Sequence, residues 1–223
     1  MINRPQMAAS PRPDYRRLRM AMAREQIEGR GIKSQRVLAA MREVPRHLFV
    51  QEAMSLHAYE DAALPIGYGQ TISQPYTVAR MSELLETEPG MRVLEIGAGC
   101  GYQASILAHA GCIVYGIERI REIYRAAAQR LKRLGIGRVH LHYGDGSLGL
   151  PAAAPFERIL VSAGAPAIPE PLARQLAEGG ILLVPVGNRD GQRLLRIRRR
   201  NGKIYEEDVG GAVFVDLVGS YGW

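Results

Sequence analysis

One stretch gathers most of the residues whose types and spacing suit chemistry: residues 93–101 read Val-Leu-Glu-Ile-Gly-Ala-Gly-Cys-Gly. An apolar run carrying Glu95 passes straight into Gly97, Gly99 and Gly101, a turn whose backbone N–H groups a ligand can approach without meeting a Cβ. The spacing restricts which ligand. A dinucleotide fingerprint, G-x-G-x-x-G, needs its third glycine where Tyr102 stands, and no Lys-Ser or Lys-Thr follows to make a phosphate-cradling loop. About twenty residues on, Glu118 closes a second apolar run, and a carboxylate at that point can accept both hydroxyl hydrogens of a ribose. Asp145, between Gly144 and Gly146, can accept from an adenine amino group or simply make a turn. Ser73 lies just before Gln74 and Pro75 at a helix start, a position that suits a cap; a nucleophilic serine would need a histidine beside it. His47 and His57 adjoin no serine, cysteine or ligand pattern and read as surface or hydrogen-bonded histidines. Cys100 and Cys112 have neither metal spacing nor a disulfide framework, which fits a reducing compartment and assigns them no chemistry.

These residues need elements to position them. Tyr15, Leu18, Met22 and Gln26 fall at helical spacing over 14–29, and Ser34 can cap a second helix carrying Val37, Leu38 and Met41 that ends near Pro45. Residues 63–74, with Gly67 and Gly69 among polar neighbours, read as a loop, and Val78, Met81 and Leu85 place a helix behind Pro75. Beyond Pro89-Gly90 the pattern alternates. Strands are predicted at 92–96, 113–117, 139–143, 158–162 and 181–186, with helices over 102–110, 121–134 and after Pro169 and Pro171. Such alternation requires crossover helices, so the sheet is predicted to be doubly wound and mostly parallel, with the glycine turn at the carboxyl end of its strand. Asn201-Gly202 marks a tight hairpin between 193–200 and 203–209, and 212–218 is strand-like, so antiparallel strands finish the sheet.

Composition limits the alternatives. With 223 residues and 47% hydrophobic content, the chain can bury the core of one domain. Its formal charge of +7 admits a nucleic-acid partner, but the basic residues are dispersed among acids except at 12–24 and 193–203, which favours a solvated basic surface. No apolar run reaches membrane-spanning length, and residues 1–13 lack the apolar centre of a signal peptide; a cytoplasmic protein with a disordered start is expected.

Acid-x-Gly-x-Gly-x-Gly is the pattern of S-adenosylmethionine-dependent methyltransferases, and other stretches narrow the class. Val44-Pro45-Arg46 with Phe49-Val50, Leu64-Pro65-Ile66-Gly67, Gly69-Gln70-Thr71-Ile72-Ser73-Gln74-Pro75, Gly144-Asp145-Gly146, Ala154-Pro155-Phe156 and Gly179-Gly180-Ile181 together resemble the protein-L-isoaspartate O-methyltransferases, bacterial type, from about residue 20 to residue 218. The resemblance implies a Rossmann-like domain over 14–223 in three parts: a helical N-terminal segment with the active-site loop (14–90), a donor-binding core (91–187) and C-terminal antiparallel strands (188–223). It implies Ser73 as the active-site residue, with Gln70, Thr71 and Ile72 beside the donor. Glu95, Gly97, Gly99 and Gly101 would form the methionine and ribose end, Glu118 would hold the ribose hydroxyls, and Asp145 with Gly146 would sit by the adenine. Substrate backbone would lie along Val213, Phe214 and Val215, where Asp216 replaces the usual proline; Val78 stands where some members carry a histidine.

The implied reaction moves a methyl group from S-adenosyl-L-methionine to the α-carboxylate of L-isoaspartyl residues, leaving S-adenosyl-L-homocysteine and using no metal. The partners implied are damaged proteins and peptides, for an enzyme that is monomeric and binds neither membrane nor nucleic acid stably. Two other readings remain at this point. One is a methyltransferase of RNA or a small molecule, supported by the basic hairpin at 193–203; the other is a non-catalytic S-adenosylmethionine-binding protein. Asn-Gly is also the dipeptide most prone to isoaspartyl rearrangement, so Asn201 is either a plain turn or a substrate of the enzyme's own kind.

Overall fold

The computed structural model describes residues 13–188 and 191–223. The expected disordered tail lies, Pro13 apart, outside the described residues. Helix α1 (Tyr15–Ala21) starts at Asp14, whose carboxylate accepts from Arg17 N at 2.9 Å. The expected helix over 14–29 is then not a single α-helix. It widens into a π turn (Met22–Ile27) and tightens into a 3₁₀ turn (Glu28–Arg30) that ends on left-handed Gly31, and the widening turns Met22, Ala23 and Ile27 into the core. Helix α2 (Gln35–Glu43) is capped by Ser34 as expected, its hydroxyl accepting from Val37 N.

Residues 63–74 form a small hairpin rather than a loop: β1 (Leu64–Gly67) pairs antiparallel with β2 (Gln70–Ile72). Tyr68 and Gly69 both have positive φ, 55° and 69°, the combination of a type I′ turn, so the glycines that looked like loop punctuation are the turn chemistry of a hairpin. Helix α3 (Pro75–Leu84) follows with proline in its first turn. Its cap residue is Gln74, whose carbonyl accepts from Val78 N, and Ser73 does no capping. The capping role that spacing gives Ser73 is therefore corrected.

The main sheet is built from β3 (Arg92–Ile96), β4 (Ile113–Glu118), β5 (Val139–Tyr143), β6 (Phe156–Val161), β7 (Leu176–Asn188), β8 (Gly191–Arg200) and β9 (Lys203–Ala212), in the order β5-β4-β3-β6-β7-β8-β9. The pairs from β5 through β7 are parallel, and β8 and β9 close the sheet antiparallel. Helices α4 (Tyr102–His109), α5 (Arg121–Arg133) and α6 (Glu170–Arg174) make the crossovers. Along β3, Val93 faces the core under α3 and α4, while Leu94 and Ile96 face the one under α6, the alternation that a doubly covered sheet requires.

Among the strands, the largest departures from expectation lie at β7 and at 212–218. β7 begins at Leu176, five residues before the predicted start, because 177–180 bulge out of the pairing with β6 and Gly179-Gly180 lies inside the strand. The run 212–218 does not extend the antiparallel end of the sheet. After a bulge at Gly210, with φ of 119°, β9 runs on to Ala212, and beyond it the chain pairs with the loop after β6: Val215 accepts from Gly164 N at 2.8 Å, and Leu217 N donates to the Gly164 carbonyl at 2.7 Å. The Asn201-Gly202 turn has both φ values positive, as type I′ demands.

Candidate active site

The strand order reverses between β3 and β6, and in an open parallel sheet the ligand crevice opens beyond the strand ends at that point. A cleft of about 650 Å³ lies there, lined by Gln70 and Thr71 of the hairpin, Gly97 and Gly99 after β3, Glu118 at the end of β4, Gly146, and Val215 of the returning chain. It adjoins an inner recess of about 340 Å³ walled by Thr71, Ile72, Ser73, Glu95, Gly97 and Gly99. Thr71, Gly97, Gly99 and Ser162 border both, so the two spaces form one continuous site.

The glycine turn is shaped by its backbone. Gly97, Gly99 and Gly101 have φ of 76°, 54° and 84°, values that side-chain-bearing residues rarely adopt. Gly101 is the residue preceding α4 and lines neither space; its part is to start the helix. Gly97 N and Ala98 N both donate to the Ile117 carbonyl, which ties the turn to the end of β4. There Glu118 is held by two backbone donors, Gly99 N on Oε2 at 2.9 Å and Ile120 N on Oε1 at 2.8 Å. Each oxygen keeps a further acceptor position for a hydroxyl pair.

Glu95 is the anomaly of the site. Its side chain is buried, and neither oxygen has a hydrogen-bond partner. Burial, with the Glu118 charge adding to it, pushes its carboxyl well above the ordinary range. A buried carboxylate without donors is costly unless a cationic or hydrogen-bonding ligand supplies them. The recess it borders therefore suits a ligand with positive charge at one end and ribose hydroxyls at the other.

Ser73 lies half-buried in the recess wall, and its hydroxyl has no bonding partner among the described residues. Gln70 donates to the Tyr68 carbonyl at 3.4 Å within its own hairpin. The segment leading into the hairpin is anchored by Arg46 of the Val44-Pro45-Arg46 motif. Arg46 is fully buried, donates to the carbonyls of Ala58 and Ala62, and stands 5.0 Å from the Tyr102 ring.

This protein has 50% identity over 212 residues to the protein-L-isoaspartate O-methyltransferase of Dictyoglomus thermophilum, covering 95% of this chain and 96% of that one. The Geobacter metallireducens protein of the same name is 52% identical over 206 residues, covering 92% and 95%. The family model for protein-L-isoaspartate(D-aspartate) O-methyltransferase matches residues 17–222. The chain belongs to that family. A solved protein-L-isoaspartate O-methyltransferase superposes with a TM-score of 0.83 at 29% identity, covering 93% of this chain and 67% of that one. A Plasmodium falciparum structure described under the same activity, in complex with S-adenosyl-L-homocysteine, gives 0.77 at 27% identity, covering 90% and 98%. Family membership makes the chain an S-adenosylmethionine-dependent enzyme that methylates isoaspartyl residues in damaged proteins. The glycine turn, Glu118 and the unpartnered Glu95 fit that donor, which carries a sulfonium, an ammonium group and a ribose.

Not all of the residues named from sequence line the site. Asp145 is outside it: Oδ1 accepts from Ser147 N and Oγ, and Oδ2 from Ser220 N and Oγ. Val213 is 94% exposed, and Phe214 is fixed through its backbone N–H and carbonyl by the Gln192 side chain. Conversely, Ile66, Arg119, Ser162, Leu217 and Val218 line the cleft without having been singled out. Ser162 and Arg119 follow directly after β6 and β4, so the strand-end rule points to them; Leu217 and Val218 carry no such signal. The histidines behave as read from sequence. His47 stacks on Tyr15 at 3.9 Å and shares a hydrogen bond with Tyr59 Oη, and His57 pairs with Glu60. Burial raises both cysteine thiols, which keeps them unreactive.

Proposed function

We propose that the recess between Ser73 and Glu95 is where the isoaspartyl carboxylate meets the methyl donor. Glu95 faces the cationic methionine end, Glu118 receives the ribose hydroxyls, Gln70, Thr71 and Ile72 flank the donor, and Gly146, the neighbour of Asp145, marks its adenine end. When bound, S-adenosyl-L-methionine supplies a methyl group activated by its sulfonium charge. An α-carboxylate has a pKa of about 3.5 and is ionised at neutral pH, so this nucleophile needs no general base. The surrounding residues instead align the carboxylate oxygen and strip its water. Such positioning can supply up to about 7 to 11 kcal/mol.

The observation that carries this reading is the free Ser73 hydroxyl on the recess wall, beside a carboxylate that lacks donors. The hydroxyl donates to one carboxylate oxygen of the substrate and holds the other toward the methyl group. The product is a methyl ester. Once released, it closes on the following backbone nitrogen with loss of methanol, and the resulting succinimide opens partly to normal aspartate. Val213, Phe214 and Val215 receive the peptide backbone, the exposed Val213 offering it an accessible edge.

The basic hairpin does not favour a nucleic-acid partner, because most of its arginines are matched by acids. Arg193 pairs with Asp208, Arg196 with Glu207 and Glu86, and Arg198 with Glu86. No described helix is long and apolar enough to cross a membrane. The enzyme acts as a cytoplasmic monomer on damaged proteins. Ser73→Ala tests the central assignment: kcat for an isoaspartyl peptide is expected to fall about a hundredfold or more, with affinity for S-adenosyl-L-homocysteine changed less than about threefold. Equal loss of both would return the serine to a purely structural role.

A further inference from the structure

Residues 119–143 hold seven arginines and lysines against one acid, Glu122, so this segment carries a net charge of six where the whole chain carries seven. The basic run at 193–203 is largely answered by acids across its own hairpin. The run at 119–143 is not: among the described residues, none of its seven cations forms an ion pair. Arg130 and Arg138 are held by backbone carbonyls instead, those of Leu48 and Cys100 for the first and of Gly111 for the second, which leaves their charge in place.

Helix α5 turns much of this charge outward. Ile123, Ala127 and Leu131 are its buried side, and at 3.6 residues per turn the exposed Arg121, Arg125 and Lys132 share a stripe on the other. Lys132 and Arg133 stand in the last turn, where the helix dipole favours cations. Helix stability does not account for the opposite end. Arg119 and Arg121 stand where the dipole repels cations, and Arg121 and Arg125 repel each other at i, i+4. That unfavoured end is the one that meets the donor cleft, which Arg119 lines. From Arg121 to Lys132 the stripe is about 16 Å long, the reach of about five residues of extended chain.

We propose that the exposed face of α5 is a docking surface for acidic stretches of the damaged polypeptide, holding them beside the cleft while the isoaspartyl residue enters. The proposal rests on the cleft being the transfer site. Substrate chemistry gives the complementary charge: where the damaged residue was asparagine, rearrangement replaces a neutral amide with a carboxylate, so the substrate is more negative than its parent. A nucleic acid is the poorer match. Single-strand binding adds stacking rings to the cations, whereas the ring on this face, Tyr143, is engaged by the Arg121 guanidinium, 4.9 Å from its centroid, and by Tyr124 at 6.0 Å.

Three peptides sharing one isoaspartyl core, with a run of about five glutamates, serines or lysines at the same outer positions, test the proposal. At low salt, kcat/KM for the glutamate peptide should exceed that for the serine peptide about tenfold, through KM, with the lysine peptide lowest; at about 0.5 M salt the three should converge. The double variant Arg125→Glu, Lys132→Glu changes two exposed residues outside the cleft. It should erase or invert the preference while kcat/KM for the serine peptide and affinity for S-adenosyl-L-homocysteine stay within about twofold, and Arg125→Lys with Lys132→Arg should keep the preference. Equal kcat/KM for the glutamate and serine peptides at low salt, or a preference that survives charge reversal, would overturn the docking surface. Tight binding of bulk RNA that the same reversal abolishes, without any preference among the peptides, would give the face to nucleic acid. The serine peptide reports the transfer site by itself: if Ser73→Ala turned it over like the wild type, the reading of the cleft would fail, whatever the charged peptides did.

Discussion

Glu95 shows how a single residue can be read for both stability and binding. In the unfolded chain its carboxyl ionises at the ordinary value, and in the folded chain burial holds it protonated to higher pH. Folding therefore takes up a proton between the two values, and the free protein's stability falls as pH rises from the ordinary carboxylate range toward the raised folded value. A cationic donor reverses the preference by stabilising the ionised form. Donor binding should thus release a proton below the raised value, and affinity should increase with pH through that interval. Calorimetry of S-adenosyl-L-methionine binding in buffers of different ionisation enthalpy should detect the release, and Glu95→Gln should abolish it while weakening binding roughly tenfold, about 1.4 kcal/mol. Binding of identical heat in all buffers would mean that Glu95 does not see the donor's charge. The sequence displayed this residue plainly, as the acid in an acid-x-Gly-x-Gly-x-Gly run. What it did not display is that both oxygens go without donors, which depends on side chains brought in from β4 and the hairpin. Ser73 is the opposite case: local spacing suggested a cap, resemblance suggested the active site, and the fold gives the capping position to Gln74.

Among the elements, the β1–β2 hairpin matters most because it carries Gln70 to Ile72 and delivers Ser73. Its support is a buried cation. Arg46 bonds the carbonyls of Ala58 and Ala62, which precede β1, so Arg46→Ala leaves the buried Ala58 carbonyl unmet and empties a fully buried site. Chemical denaturation should show a loss on the order of 3 kcal/mol or more, and residual folded enzyme should have a raised peptide KM from a displaced hairpin. A change below about 0.5 kcal/mol would show that the loop finds other donors. The hairpin was legible only in part, since strands of four and three residues among glycines and polar residues have too little alternation to register. The core strands were legible because their apolar runs are long and bounded. At the other end of the sheet, Glu178 accepts from the N–H of Asn201 and of Gly202, at 3.1 Å for the latter. Succinimide formation requires the Gly202 nitrogen to attack the Asn201 side chain with loss of ammonia, so this tie protects the turn. Mass spectrometry of aged protein should find isoaspartate at 201 several-fold sooner in Glu178→Ala than in the wild type; equal rates would mean the type I′ backbone alone sets the pace.

For the molecule as a whole, the proposed donor site lies on the parallel half of the sheet, and the proposed acceptor contacts lie in the segments before and after it. The glycine turn and Glu118 belong to the parallel core, whereas the hairpin at one end and the returning chain at the other border the cleft from outside it. That division explains what composition and periodicity were able to say. They yielded the parallel sheet, because it depends on local runs, while the donor class came from the resemblance of the glycine stretch to methyltransferases; the path of 212–223 depends on contacts with 145–147 and 164, distant in sequence, and no local pattern announces it. The central claim is that this site methylates the α-carboxylate of isoaspartyl residues and nothing chemically broader. The most direct measurement is transfer of labelled methyl from S-adenosyl-L-methionine to two peptides identical except for an isoaspartyl or an aspartyl residue, with bulk RNA as a third acceptor. Base-labile label on the isoaspartyl peptide alone is the predicted result. Comparable label on the aspartyl peptide, or label on RNA without label on the isoaspartyl peptide, would contradict the account.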